Sequence, residues 1–138
     1  MSRDGKTLVR QLYQTVFVEG HVDQIEQFFA PDIVDRTPMP GQPDARKALA
    51  QFIPMFHGAF SPRTLTLDVV AAEAGYVGVH YHWSAKHTGP FLGVPASGRD
   101  ITFHGSAFFR VDRDRLVEHW GVADIAGLMQ QIAPARQG

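Results

Sequence analysis

The chain has 138 residues, 44% of them hydrophobic and 20% charged, with a net charge of −1. That length suits one domain over residues 1–138, since compact domains commonly run ~100–150 residues, and the composition excludes a disordered chain. Thirteen Lys and Arg against fourteen Asp and Glu, without a block of like charge, leave no basic footprint for nucleic acid. The apolar runs are too short and broken for a membrane-spanning helix. The absence of Cys removes disulfides and thiolate chemistry and fits a cytoplasmic protein.

The front half reads as helical. Met1 to Lys6 leads into an amphipathic stretch rather than a signal-peptide core. Leu8, Leu12, Tyr13, Val16 and Phe17 share one face of a first helix that stops at Gly20. A short second helix carries Val22, Ile25, Phe28 and Phe29 and closes at Pro31; residues 32–35 are extended. Pro38, Pro40, Gly41 and Pro43 make a loop. Asp44 then caps a third helix with Leu49, Phe52, Ile53 and Phe56 on one face and a kink or end near Pro54.

The back half reads as strands over residues 64–70, 76–87, 101–111 and 116–122. A tight turn falls at residues 112–115, and a last short helix holds Ile125, Leu128, Met129 and Ile132. Helices followed by antiparallel strands indicate an α+β fold. Ten Phe and seven His are both high counts, and they suggest an apolar cavity carrying a few polar groups. A strongly bent sheet around the N-terminal helices would enclose such a cone.

Three segments carry a family resemblance. The first runs from Tyr13 to Gly20 and continues through Asp23 and Pro31-Asp32-Ile33-Val34-Asp35. The second, and most specific, is His87-Thr88-Gly89-Pro90-Phe91-Leu92-Gly93-Val94-Pro95-Ala96-Ser97-Gly98. The third is Arg115-Leu116-Val117-Glu118-His119-Trp120 through Asp124 to Gln131. The chain resembles the SnoaL-like polyketide cyclases, or ester cyclases, of the nuclear-transport-factor-2-like superfamily. The resemblance implies a cone-shaped α+β barrel with three N-terminal helices in a bent, mostly antiparallel sheet and a short C-terminal helix. It also implies a hydrophobic, carbonyl-rich substrate, a homodimer through the outer sheet face, and aldol-type ring closure without metal or cofactor. In that chemistry a base removes an acidic C–H proton between carbonyls, and the enolate attacks a second carbonyl.

One departure matters. Aligned through Arg110 and Asp124, the family's acid/base Asp falls on Gly121 and its partner His on Ala107. The acid/base has therefore moved, or the reaction differs (isomerisation, hydration, epoxide opening), or the protein only binds apolar small molecules or serves as a structural subunit. If position 121 faces the cavity, strand alternation brings Ala107, Phe103, Phe109, His119, Trp83, Tyr81 and His87 to the same face. A β-bulge would reverse that parity and turn Glu118 and Trp120 inward.

His119 is then the first base candidate, since imidazole titrates near working pH; the alternative is a structural hydrogen bond. Asp124 is the second, against a plain helix N-cap. Asp35, at the end of the first short strand, is the third, against a surface pair with Arg36. Tyr13, Phe17, Phe52, Phe56, Trp83, His87, Phe103 and Trp120 are candidate substrate contacts, weighed against ordinary core packing and, for His87, a loop-anchoring bond. His80, His82 and His104 could share the outer face. Three His can hold zinc, but no carboxylate accompanies them at a suitable spacing, and an interface is preferred there.

Overall fold

The structure is a computed structural model and describes residues 4–134; Met1, Ser2 and Arg3 lie outside it. Helix α1 (Gly5–Leu12) starts where Asp4 accepts from the Thr7 N–H at 2.8 Å, and Leu8, Val9 and Leu12 are its buried face. The helix does not continue regularly to Gly20. Residues Tyr13–Val18 widen into a π-helical turn, and Gly20 ends it at φ +80°. The second helix is a single 3-10 segment, Val22–Gln27.

Extended structure begins earlier than the periodicity predicts, in β1 (Phe29–Asp35). Here pairing outweighs the helical spacing of Phe28 and Phe29: Leu116 N–H donates to the Phe28 carbonyl at 2.7 Å. Helix α2 (Ala45–Ala59) is capped by Asp44 as expected and carries Pro54 inside it. Strands β2 (Phe60–Glu73), β3 (Tyr76–His87), β4 (Asp100–Asp112) and β5 (Arg115–Ala123) follow, then α3 (Ile125–Ile132). The β4–β5 turn places Arg113 and Asp114 at positive φ, the primed geometry of a tight hairpin.

One curled five-stranded sheet results, in the order β1-β5-β4-β3-β2. Only β1 is parallel to its neighbour, so the sheet is mostly antiparallel. The helices cover its inner face through two clusters. One joins Leu8, Leu12, Val16 and Ile25 to Val77, Ala107, Phe109 and Leu116. The other joins Phe56, Phe60 and Phe91 to Trp83, Phe103, Leu128 and Ile132. Phe56 is its hub, with the rings of Phe60, Trp83, Phe103 and Phe91 at centroid distances of 4.8, 4.9, 6.0 and 6.4 Å.

The glycine- and proline-rich loop after β3 is a fold element. Thr88 and Gly89 N–H groups donate to the Ala59 carbonyl at 2.9 and 3.0 Å. A β-carbon at Gly89 would collide with the Gly58 carbonyl oxygen, so this docking admits only glycine. No helix among the described residues is long and apolar enough to cross a membrane.

Candidate active site

The inner face of β4 and β5 carries a floor of four small residues. Gly105 pairs with Ala123, and Ala107 pairs with Gly121. The β5 irregularity lies between Arg110 and Val111 in the pairing, on the hairpin side of Glu118, so alternation runs unbroken from Glu118 to Ala123. His119 and Gly121 therefore face inward, while Glu118 and Trp120 face outward.

Gly121 leaves space that His119 occupies. A β-carbon at Gly121 would lie 2.7 Å from His119 Nε2 and 2.8 Å from Cε1. The imidazole leans along its strand over residue 121 and packs on Phe109, ring centroids 5.1 Å apart. Its nitrogen thus sits where the resemblance puts the missing carboxylate.

The parallel pairing of β1 with β5 sets Asp35 beside His119. The His119 Nδ1–H donates to Asp35 Oδ1 at 3.2 Å. Asp35 Oδ1 also accepts from the Thr37 N–H at 3.0 Å, and Oδ2 from the Gln42 amide at 2.8 Å. Thr37 Oγ1 accepts from the Gly121 N–H at 2.8 Å, closing the loop onto β5. Burial pushes the Asp35 carboxyl up, but the bonds from Gln42, Thr37 and His119 outweigh it and hold the group below its ordinary value. Burial holds the His119 imidazole below its ordinary 6.5, and the Asp35 charge recovers only part of that. At neutral pH the pair is a carboxylate and a neutral imidazole. The Nδ1–H faces Asp35, and the Nε2 lone pair faces the floor. This is the orienting-carboxylate arrangement of a general base. The side chains remain 25% and 14% exposed, so the site lies at the mouth of the curled sheet.

Tyr81 flanks the other end of the floor. A β-carbon at Gly105 would collide with its hydroxyl. Burial raises that hydroxyl to about 12. Tyr13 stacks on Phe17 at 4.5 Å and lies 5.5 Å from the Tyr81 ring. Burial, then Tyr81, pushes the Tyr13 hydroxyl well above its usual range. Phe17 and Phe52 are half-buried between the two core clusters and form the helical wall above the floor.

Several predicted site residues fall elsewhere. Asp124 Oδ1 accepts from the Gly127 N–H at 2.9 Å as the N-cap of α3. Trp120 lies on the outer face against Tyr76, 6.1 Å between centroids, because the bulge precedes residue 118 rather than following it. Phe56, Trp83 and Phe103 are at most 3% exposed and make the packed core behind the floor. His87 is fully buried; its Nδ1 accepts from the Ser97 N–H at 3.1 Å, which anchors the loop. Arg36 pairs with Glu118 at 2.7 Å rather than with Asp35. Arg110 binds the other Glu118 oxygen at 2.6 Å, and these two bonds keep the Glu118 carboxyl low. His57 bonds the Phe17 carbonyl at 2.7 Å, bracing the π turn. Thr37 and Gln42, which hold Asp35, carry no motif that sequence reading could have found.

Two cavities lie outside the cone. An apolar groove of about 870 Å³ on the outer face is lined by residues that include Tyr76, Gly78, Phe108 and Trp120. A second, of about 460 Å³, lies by Arg63, Ser84, Lys86 and Thr102. The outer-face histidines form a stack, His80–His104 at 5.8 Å and His82–His104 at 5.5 Å, with His80 bonded to Ser106 and His82 to Asp68. Among the described residues no group of three or more His, Cys, Asp or Glu could hold a metal ion.

The curled α+β sheet is shared by several solved structures. TsrD from Streptomyces laurentii is 23% identical, with 95% of this chain and 98% of that chain covered and a TM-score of 0.79. IdmH from Streptomyces antibioticus, described as a proposed polyketide cyclase, is 23% identical over 96% and 100%, with a TM-score of 0.81. AclR from Streptomyces galilaeus, described as a proposed hydroxylase, is 21% identical over 95% and 96%, with a TM-score of 0.80. At these identities the likeness establishes the fold, a cone of the nuclear-transport-factor-2 type. The SnoaL-like polyketide cyclase family model matches residues 7–132, and the chain belongs to that family. No curated protein sequence matches it.

Proposed function

We propose that the protein is a cofactor-independent cyclase acting on a hydrophobic, carbonyl-rich small molecule, with His119 as the acid–base group and Asp35 as its positioning residue. The observation that carries this reading is the His119 ring in the space left by Gly121, tied to Asp35 at 3.2 Å.

His119 Nε2 removes a proton from a carbon between two carbonyls. The C–H electron pair moves into the carbonyl system and leaves an enolate. The enolate carbon forms a bond to a second carbonyl carbon of the same molecule. The π pair of that carbonyl moves to its oxygen, which takes the proton back from the imidazolium. No net proton is gained or lost. Asp35 stabilises the imidazolium between the two steps, and such general-base assistance is worth ~10²–10⁴-fold.

The proposal includes a homodimer through the outer sheet face. Its support is exposed apolar surface: Val69, Tyr76, Phe108 and Val122 all project there, and monomers rarely leave large apolar patches bare.

The test is C–H exchange in heavy water. A panel of aromatic β-dicarbonyl esters is followed by NMR with the wild type, His119→Ala and Asp124→Asn. Exchange above buffer that disappears in His119→Ala and survives in Asp124→Asn supports the reading. Tight binding of a panel member with no exchange overturns it in favour of a non-catalytic carrier.

A further inference from the structure

We infer that Tyr81 is a second catalytic residue, whose hydroxyl donates a hydrogen bond to the enolate oxygen formed when His119 takes the proton. The inference rests on the acid–base reading above and adds the group that receives the developing charge.

The argument is geometric. His119 Nε2 stands over Gly121 and the Tyr81 hydroxyl stands over Gly105, both on the inner face. Gly105 pairs with Ala123, and Ala107 with Gly121, so the two glycines are diagonal neighbours on adjacent antiparallel strands. Diagonal positions lie ~7–8 Å apart. Base and donor thus stand at opposite corners of a floor whose other corners, Ala107 and Ala123, carry only methyl groups. With hydrogen-bond reach at each end, a β-dicarbonyl unit is long enough to bridge that span, its acidic carbon toward His119 and its carbonyl oxygen toward Tyr81.

Both corner side chains depend on a glycine beneath them. The ring of His119 needs Gly121, and the hydroxyl of Tyr81 needs Gly105. Burial alone acts on this phenol, with no carboxylate or hydrogen bond contributing, so at working pH it remains a protonated donor. Hydrogen bonds aimed at an oxyanion in a partly dried site are a main source of transition-state stabilisation.

Substituted phenols test the donor separately from turnover. 4-Nitrophenolate mimics the enolate oxygen, and 4-nitrotoluene has the same outline without the charge. Their affinities are measured by absorbance and competition for the wild type and Tyr81→Phe, a change that keeps the ring and therefore the packing on Tyr13. The expected result is a loss of about tenfold or more in phenolate affinity with nitrotoluene affinity unchanged, as for a hydrogen bond to a charged group. Equal phenolate affinity in the two proteins overturns the proposal, as does failure of the wild type to prefer phenolate over nitrotoluene. The heavy-water exchange of the wild type reports on the acid–base reading independently. Phenolate selectivity that needs Tyr81, without any exchange, would sink that reading and leave the oxyanion site standing.

Discussion

Gly121→Ala puts one methyl group into the space on which the site depends. The new β-carbon would lie 2.7 Å from His119 Nε2 and 2.8 Å from Cε1. An ordinary contact needs ~3.5 Å, so the ring has to retreat by about 0.8 Å. The proposed base moves by that distance, and its 3.2 Å bond to Asp35 is disturbed with it. Misplacement by ~1 Å can cost ~100-fold, and that is the expected loss in the exchange rate. The backbone itself accepts alanine, since Gly121 is not in the left-handed region. Stiffening the unfolded chain contributes ~0.4–1 kcal/mol, and crowding the ring costs ~1–3 kcal/mol. Stability should thus fall by no more than about 2.6 kcal/mol. The assay pairs heavy-water exchange with urea denaturation, and includes the double variant with His119→Ala. That double variant should be no slower than His119→Ala alone, because both changes act on one group. Gly121→Ala exchanging as fast as the wild type would refute the placement of the base.

Four further outcomes follow from the structure. The acid limb of exchange should have its midpoint below 6.5, because burial lowers His119 and Asp35 recovers only part; a midpoint above 6.5 means the charge of Asp35 dominates instead. Stability should change in the same sense. The His119 contribution is present above 6.5 and is lost as pH falls through its lowered folded value, and that of Asp35 is lost lower still, below its ordinary 3.8; thermal melts from about pH 2 to pH 8 check this. Phe56→Ala should destabilise by ~3–5 kcal/mol in urea titration, since it empties the hub of the aromatic cluster. Phe108→Asp, on the outer face where Phe108 is 57% exposed, should convert a dimer to monomer in sedimentation equilibrium without loss of fold; a monomeric wild type would remove the dimer.

Much of the fold was legible because local rules and burial agreed. The caps at Asp44 and Asp124 were visible, and so were strands β3 and β4, whose alternation matches one buried face. The π turn at Tyr13–Val18 was not, since its residues keep a helical spacing and only the braced Phe17 carbonyl reveals the change. The site was half legible. Alternation put His119, Gly121 and Ala107 on one face, and Asp35 was noticed separately. What joins Asp35 to His119 is the parallel pairing of β1 with β5, a contact 84 residues apart along the chain that no local pattern encodes. The parity of β5 depended on where one bulge falls, which explains why Trp120 looked like a substrate contact and is an outer-face residue. The most specific motif, opening at His87, shows in the structure as a loop docked on α2.

The most direct test of His119 as the relocated base is the protonation state of its ring. With ¹⁵N-labelled histidine at pH 7.5, the imidazole should show a protonated Nδ1 and an unprotonated Nε2, and Asp35→Asn should disturb that pattern. A ring found with the proton on Nε2 would have no lone pair facing the floor, and it would contradict the account.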